Sequence, residues 1–366
     1  DFWNWRTTMY QVAERLDPDR YHELALGVFG EMLDAGYTSV GEFHYLHHRP
    51  DGSRYPRHEM ELAVAEAARQ AGIRLTLLDT CYLHGGFGQP LEAGQTRFGD
   101  GSVEAWLQRW HELADALPAD PRMRLGAALH SVRAVAPDEL HHAIAGLPAE
   151  VPVHVHVSEQ PAENRACQEA TGLTPTTVLE RAGVLSTRTT VVHATHLSDE
   201  DLAMIARTGT TVSLCPTTEA DLADGIPRTA DLVAAGVPLA IGSDENVVTD
   251  PFAELRMIES GVRLSSGRRG VVSNERLWGC GAQVHSVLPE LAAVDPQRPG
   301  LRVGDPADMV AISPDSARRA RGDPLRWPLN ESEADVTATI VAGQRVPSHS
   351  PATLRSALHT LLEEDS

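Results

Sequence analysis

The sequence predicts an α/β protein: a (β/α)8 barrel of the TIM type whose first β/α unit is absent from this chain, with a small β-sandwich domain beside it. Three observations predict it. Helical segments alternate with short β-rich runs over most of the chain, polar residues recur at the ends of those runs, and the tail switches to short β segments broken by Gly and Asp. The strand candidates number about seven, where a closed barrel of this kind has eight. Asp1 leads directly into the aromatic-rich run FWNWRTTMY, with no initiator Met, so the missing unit is expected to precede it.

The first predicted helix covers Tyr10 to Gly36, with Val12, Leu16, Leu24 and Leu26 at mixed spacings of three and four and Gly36 as its stop. Tyr37 to Tyr45 (YTSVGEFHY) reads as a strand, followed by a helix over Glu59 to Ala71 and a strand, IRLTLLDTCY, from Ile73. A glycine-rich loop from His84, a helix around Val103 to Leu117, a strand from Met123 (MRLGAALHSV) and a helix near Pro137 to Ala145 come next.

The run Val151 to Gln160, VPVHVHVSEQ, alternates valine with polar residues at period two, which puts the valines on one strand face and His154, His156 and Ser158 on the other. Helices over Pro161 to Glu169 and Thr176 to Ala182 lead to the strand TTVVHATHL from Thr189. A helix over Ser198 to Thr208, a strand TTVSLCPTTE from Thr210, a helix around Thr229 to Ala235 and a strand VPLAIGSDE from Val237 keep the rhythm. Helices near Pro251 to Leu264 and Ser273 to Leu288 complete an outer ring. The barrel is assigned to residues 1–298, the small β domain (GLRVGDPADMVAIS and ADVTATIVAGQRV) to 299–348, and a closing helix near Thr353 to Glu364 to the segment 349–366.

Composition excludes several classes. The formal net charge is −20, from 51 acidic against 31 basic side chains, which disfavours nucleic acid and anionic membrane surfaces as partners. No apolar run approaches the roughly 20 residues that span a bilayer. Hydrophobic residues make up 42% of the chain and are spread along its length, as in an ordinary globular protein. Cys81, Cys167, Cys215 and Cys280 are scattered without C-x-x-C spacing, so free thiols in a reducing cytoplasm are expected.

In parallel barrels the catalytic groups sit at the C-terminal ends of strands. Those ends carry Glu42, His44 and Tyr45; Asp79; His130 with Arg133; His156 with Glu159; His193; Cys215; and Asp244. His156 followed by Glu159 reads as a metal ligand and a proton shuttle, or as a pair of core histidines with His154. Asp244 in AIGSDE is either a metal ligand that takes a proton from water or the N-cap of the next helix. His193 is a third ligand or a group that steadies the transition state, and His196, on the opposite face, reads as a core histidine.

The order HVHVSE, HATHL, GSDE and the tail GDPADMVAIS with TIVAGQ resembles the amidohydrolase superfamily. That resemblance implies a metal-dependent barrel with a β-sandwich built from both chain ends, and an H-x-H ligand pair on a first strand that this chain lacks. FWNWRTTMY, AGYTSVGEFHYLHH, LHSVRAV, HVHVSEQ, VVHATH and LCPTTEADLADGI narrow it to the branch that deiminates N-formimino-L-glutamate in histidine degradation. One departure is SDEN at Asp244, where that branch more often has serine and histidine after the Asp.

The resemblance implies one Zn2+ per subunit, with another divalent metal as the alternative, held by His156, Asp244 and the missing pair. Asp244 then accepts a proton, His193 steadies the attacking hydroxide, and Glu159 protonates the leaving nitrogen. Arg6, Tyr45 and Arg133 hold the two substrate carboxylates and His130 contacts the formimino group. A chain this acidic repels a dianion at long range, so local arginines are needed. The expected assembly is a cytoplasmic homodimer with no partner but its small-molecule substrate. Two alternatives stand beside it: a deaminase of the guanine or triazine type, and a metal-free, non-catalytic barrel.

Overall fold

The computed structural model describes residues 2–282, 303–315 and 329–362, with side chains from residue 8 onward. The chain divides into two compact units, residues 1–151 with 307–309 and 339–366, and residues 152–306 with 310–338. The expected boundary between residues 298 and 299 lies outside the described residues.

The first unit opens with two helices, α1 (Phe2–Arg15) and α2 (Pro18–Ala35), where the sequence predicts one. Asp17 and Pro18 separate them. Proline has no N–H to offer and forces its predecessor out of the helical region, and Asp17 is extended, its carboxylate accepting the Arg20 N–H. The predicted stop holds: Gly36, at φ 104°, supplies the left-handed cap.

Strand β1 (Ser39–His44), helix α3 (Glu59–Ala71), strand β2 (Arg74–Cys81), a 3-10 turn (Ala93–Phe98), α4 (Val103–Ala116), β3 (Met123–Ser131) and α5 (Pro137–Gly146) follow. β1, β2 and β3 pair in parallel and in that order, with His44 opposite Asp79 and Asp79 opposite Ala127. All eight residues of β2 are buried, as expected of a parallel strand covered on both faces. The closing helix, Pro351–Leu362, packs on α2. A Cβ at Gly27 would come within 2.7 Å of the Leu354 backbone, so the close approach of the two helices requires glycine there.

The second unit repeats the alternation: β4 (Val153–Val157), α6 (Pro161–Thr171), α7 (Pro175–Arg181), β5 (Thr189–His193), α8 (Asp199–Thr208), β6 (Thr211–Leu214), α9 (Pro216–Asp221), α10 (Thr229–Ala234), β7 (Leu239–Ile241), α11 (Pro251–Ser266) and α12 (Asn274–Gly281). β4 to β7 are parallel neighbours in chain order. Val153, Val155 and Val157 are fully buried, each contributing about 1.5–3 kcal/mol.

The strand predicted from Thr210 stops at Leu214, because Pro216 starts a helix instead of continuing the ladder. The remainder of the helix predicted to Leu288 lies outside the described residues. Short strands β8 (Met309–Ile312), β9 (Val336–Val341) and β10 (Gln344–Arg345) form a second sheet in the order β10-β9-β8, as the change of pattern in the tail predicts. Among the described residues no helix is long and apolar enough to cross a membrane.

Candidate active site

The strand ends of the second unit converge on His193. Its Nε2 lies 3.7 Å from Glu159 Oε1 and 3.7 Å from Asp244 Oδ2, and its Nδ1 lies 3.6 Å from Glu219 Oε1. The His156 ring stacks against it with centroids 5.6 Å apart and planes inclined by 19°. Thus His156, Glu159, His193 and Asp244, separated in sequence by three connecting segments, meet in one place.

The backbone is bent to achieve this. Ser158, His193, Ala194 and Asp244 have φ of 52°, 67°, 53° and 46°, left-handed conformations that strain a non-glycine residue by about 1–3 kcal/mol each. All follow or end strands whose interiors are held by ladder bonds and packing, which supply the rigidity to maintain the strain. The same turn removes His196 from the strand. It is half-buried and its Nε2 bonds to the Asp224 carbonyl at 2.8 Å, so it secures a loop instead of filling the core.

Asp244 does not cap the following helix. Asp250 does, its carboxylate accepting the N–H groups of Phe252 and Ala253, which leaves Asp244 in the turn after β7 with a third of its side chain exposed. Of the two readings open in the sequence, the helix cap is removed.

The electrostatics of this cluster are dominated by carboxylates. Burial pulls the His193 pKa down, but Glu159, Cys215 and Glu219 outweigh it and hold the imidazole well above its ordinary value. Burial pushes the Cys215 thiol far up. Asp224 is pushed up to about 7 by burial and by Glu159, and Glu245 to about 7 by burial and by Asp221. Glu254, with no exposed surface, is also pushed to about 7 by burial, although it accepts from Thr217 N and Oγ1.

Sequence reasoning missed Glu219, Asp224 and Glu254. They sit on a short helix, a loop and a neighbouring helix, where no strand periodicity marks them. The one signal was Pro216, whose helix-starting position carries Glu219 back over the strand end, where its carboxylate accepts the Cys215 N–H at 3.0 Å.

In the first unit Tyr45 and His130 come together, their ring centroids 5.6 Å apart, with Tyr82 4.3 Å from His130 and Phe98 5.1 Å from Tyr45. Arg133 is half-buried in the turn after β3, and among the described residues its guanidinium has no carboxylate partner. The Arg6 side chain lies outside the described residues.

Asp79 belongs to a different structure from the one its position suggests. It faces helix α4, accepting from Arg109 at 2.6 and 3.0 Å and from the Trp106 indole at 2.9 Å, with Glu61, Asp100, His47 and His48 completing a buried ionic network. The reason is that both faces of β2 are buried, so alternation does not mark which face looks inward. His44, His47 and Glu61 also have the donor types and proximity of a metal site, but Arg109 stands 3.1 Å from the same Glu61 oxygen and a second cation there would be repelled.

The donors around His193 include the His156 imidazole and the Asp244 carboxylate, beside the sets His193, Cys215, Glu219 and Glu159, His193, Asp224, whose ligand atoms lie within 4.8 Å of one another; imidazole nitrogens and carboxylate oxygens predominate. That nitrogen and oxygen set suits a divalent ion of the zinc class.

The amidohydrolase family pattern matches residues 1–284. The chain is 38% identical to the formimidoylglutamate deiminase of Pseudomonas aeruginosa, over 94% of its own length and 78% of that protein's. It superposes on a crystal structure of an amidohydrolase from Brucella melitensis with a TM-score of 0.88 and 35% identity, covering 99% of this chain and 83% of the other. An adenosine deaminase from Xanthomonas campestris with bound zinc has the same fold, with a TM-score of 0.78 at 21% identity, over 95% of this chain and 76% of that one. The α/β barrel class predicted from the alternation is therefore the fold of this chain.

Proposed function

This chain belongs to the amidohydrolase family, and from that membership we propose that it hydrolyses the amidine C–N bond of N-formimino-L-glutamate, leaving N-formyl-L-glutamate and ammonia, a step of histidine degradation. The reading is carried by the position of His193, 3.7 Å from both Glu159 and Asp244. Two carboxylates beside one imidazole nitrogen give a proton acceptor and a proton donor around a small reaction space. Similarity to the Pseudomonas deiminase over nearly the whole chain supports the same chemistry.

A metal ion, zinc by preference, would be held by His156 and Asp244 and would supply an attacking water whose pKa is lowered to about 7. The chain's own residues do the rest. Asp244 accepts the proton of the attacking water. His193 steadies the negative charge that accompanies the attack, a task for which an imidazole kept protonated by Glu159 and Glu219 is suited. Glu159 then delivers a proton to the nitrogen that departs as ammonia.

The substrate's two carboxylates require cations in an acidic protein. Arg133, which has no carboxylate partner among the described residues, is one, and Arg6 and Tyr45 are assigned the same task. His130, beside Tyr45, contacts the formimino group. A cytoplasmic homodimer completes the proposal.

The test is ammonia release from N-formimino-L-glutamate measured beside guanine and a chloro- or amino-triazine. Turnover of the first alone is expected. Turnover of a heterocycle in its place would transfer the chain to the guanine or triazine type, and no turnover of any by the metal-loaded protein would favour a non-catalytic barrel.

A further inference from the structure

We propose that Asp224 is the recognition residue for the positive charge of the substrate, receiving its cationic amidine beside Glu159 and His193. The inference rests on the deimination reading above and names what within the site distinguishes an amidine from a neutral amide.

Four observations lead there. Asp224 is 3% exposed, yet its Oδ2 has no hydrogen-bond partner among the described residues, while Oδ1 accepts from Gln160 Nε2. Asp79, by contrast, has both carboxylate oxygens filled by Arg109 and Trp106. One ligand atom each of Glu159, His193 and Asp224 lie within 4.8 Å of one another, so the Asp224 carboxylate belongs to the same space as the proton shuttle.

The loop is also built to hold Asp224 still. Ala223 before it is left-handed at φ 58°, the Asp224 N–H donates to the Glu219 carbonyl at 2.9 Å, and the Asp224 carbonyl accepts from His196 Nε2 at 2.8 Å. Finally, Asp224 has no cation of its own. Glu159, Glu219 and Asp244 share the space around His193, and no Lys or Arg side chain is within ion-pair reach of Asp224 among the described residues.

An N-alkyl formamidine is protonated at neutral pH, planar, and carries N–H donors arranged to meet a carboxylate edge-on, as a guanidinium does. Its arrival would fill Oδ2 with a charge-assisted bond. Burial and the Glu159 charge push the Asp224 carboxyl up to about 7, and a bound cation would favour its ionised form. The formyl product is a neutral amide and loses this charge-assisted bond, so the same residue favours product release.

The experiment compares the metal-loaded full chain with its Asp224→Asn variant, and with Asp224→Ser in case the amide disturbs the loop. Formamidinium and formamide serve as small probes by calorimetry and as inhibitors of ammonia release. The expected result is a rise of about ten- to a hundredfold in KM for the substrate and in the formamidinium dissociation constant. Formamide binding, inhibition by N-formyl-L-glutamate and metal content should be unchanged.

Equal formamidinium binding in wild type and both variants would overturn the assignment. So would loss of metal in the variants, since Asp224 would then be a ligand. If the wild type released no ammonia, the deimination reading would fall, while the calorimetric comparison with formamidinium would still decide the role of Asp224.

Discussion

His193 Nε2 and Asp244 Oδ2 stand 3.7 Å apart, too far for a hydrogen bond and close enough to contact one atom placed between them. Glu159 Oε1 stands at the same distance from the same nitrogen. Side chains that served only the fold would close these gaps. Held open by left-handed backbone at His193 and Asp244, they define where the reacting atoms go.

Glu159→Gln is expected to lower kcat for ammonia release by at least about a hundredfold while leaving the metal content intact. Glutamine keeps the shape and removes the transferable proton. Full activity in this variant, measured with metal content on the same sample, would remove Glu159 from its role as proton donor.

Chelation should abolish turnover, and zinc should restore it. His156→Asn and Asp244→Asn are each expected to lower the zinc retained after dialysis, with Asp244→Asn still inactive when zinc is resupplied in excess, because it also loses the proton acceptor. Elemental analysis beside activity separates the two effects. Retention of stoichiometric zinc by both variants would refute the ligand assignment.

Arg133→Met should raise KM for N-formimino-L-glutamate by about ten- to a hundredfold with kcat little changed, since the guanidinium binds a part of the substrate that does not react. A variant whose kcat falls with KM unaltered would show that Arg133 acts elsewhere.

Glu254 predicts a pH dependence of stability. Its folded pKa, raised by burial to about 7 from an ordinary 4.5, means that the folded state binds a proton the unfolded state releases. Its contribution is therefore fully present below about 4.5 and is lost as pH rises through about 7, amounting to roughly 3 kcal/mol. Glu254→Gln, which can still pair with Thr217, should flatten this slope. Urea unfolding at pH 5 and pH 8 gives the comparison, and an identical slope in both proteins would exclude Glu254 as its source.

Much of the fold was legible in the chain because it is local. Alternating valines around His154 and His156, the proline and glycine stops and the spacing of apolar residues act over a few neighbours, and they placed strands and helices close to their observed limits. Where two local signals competed, the stronger was misjudged: Asp17-Pro18 broke a helix whose apolar pattern ran on, and Pro216 ended a strand rich in threonine. His156, Glu159, His193 and Asp244 could be singled out because strand ends in parallel barrels have one destination.

Only the tertiary structure decided what met what. It assigned Asp79 to the helix layer, since a strand buried on both faces carries no mark of its inner side. It transferred the helix cap from Asp244 to Asp250, a choice between two similar residues that turn geometry alone makes. It also brought Glu219 and Asp224 to His193 from a short helix and a loop, segments without periodicity, whose carboxylates acquire meaning from burial and from the charges around them. The sequence by itself determined the order of elements and the strand-end residues; long-range packing determined which carboxylates share a space, because that depends on contacts no local pattern encodes.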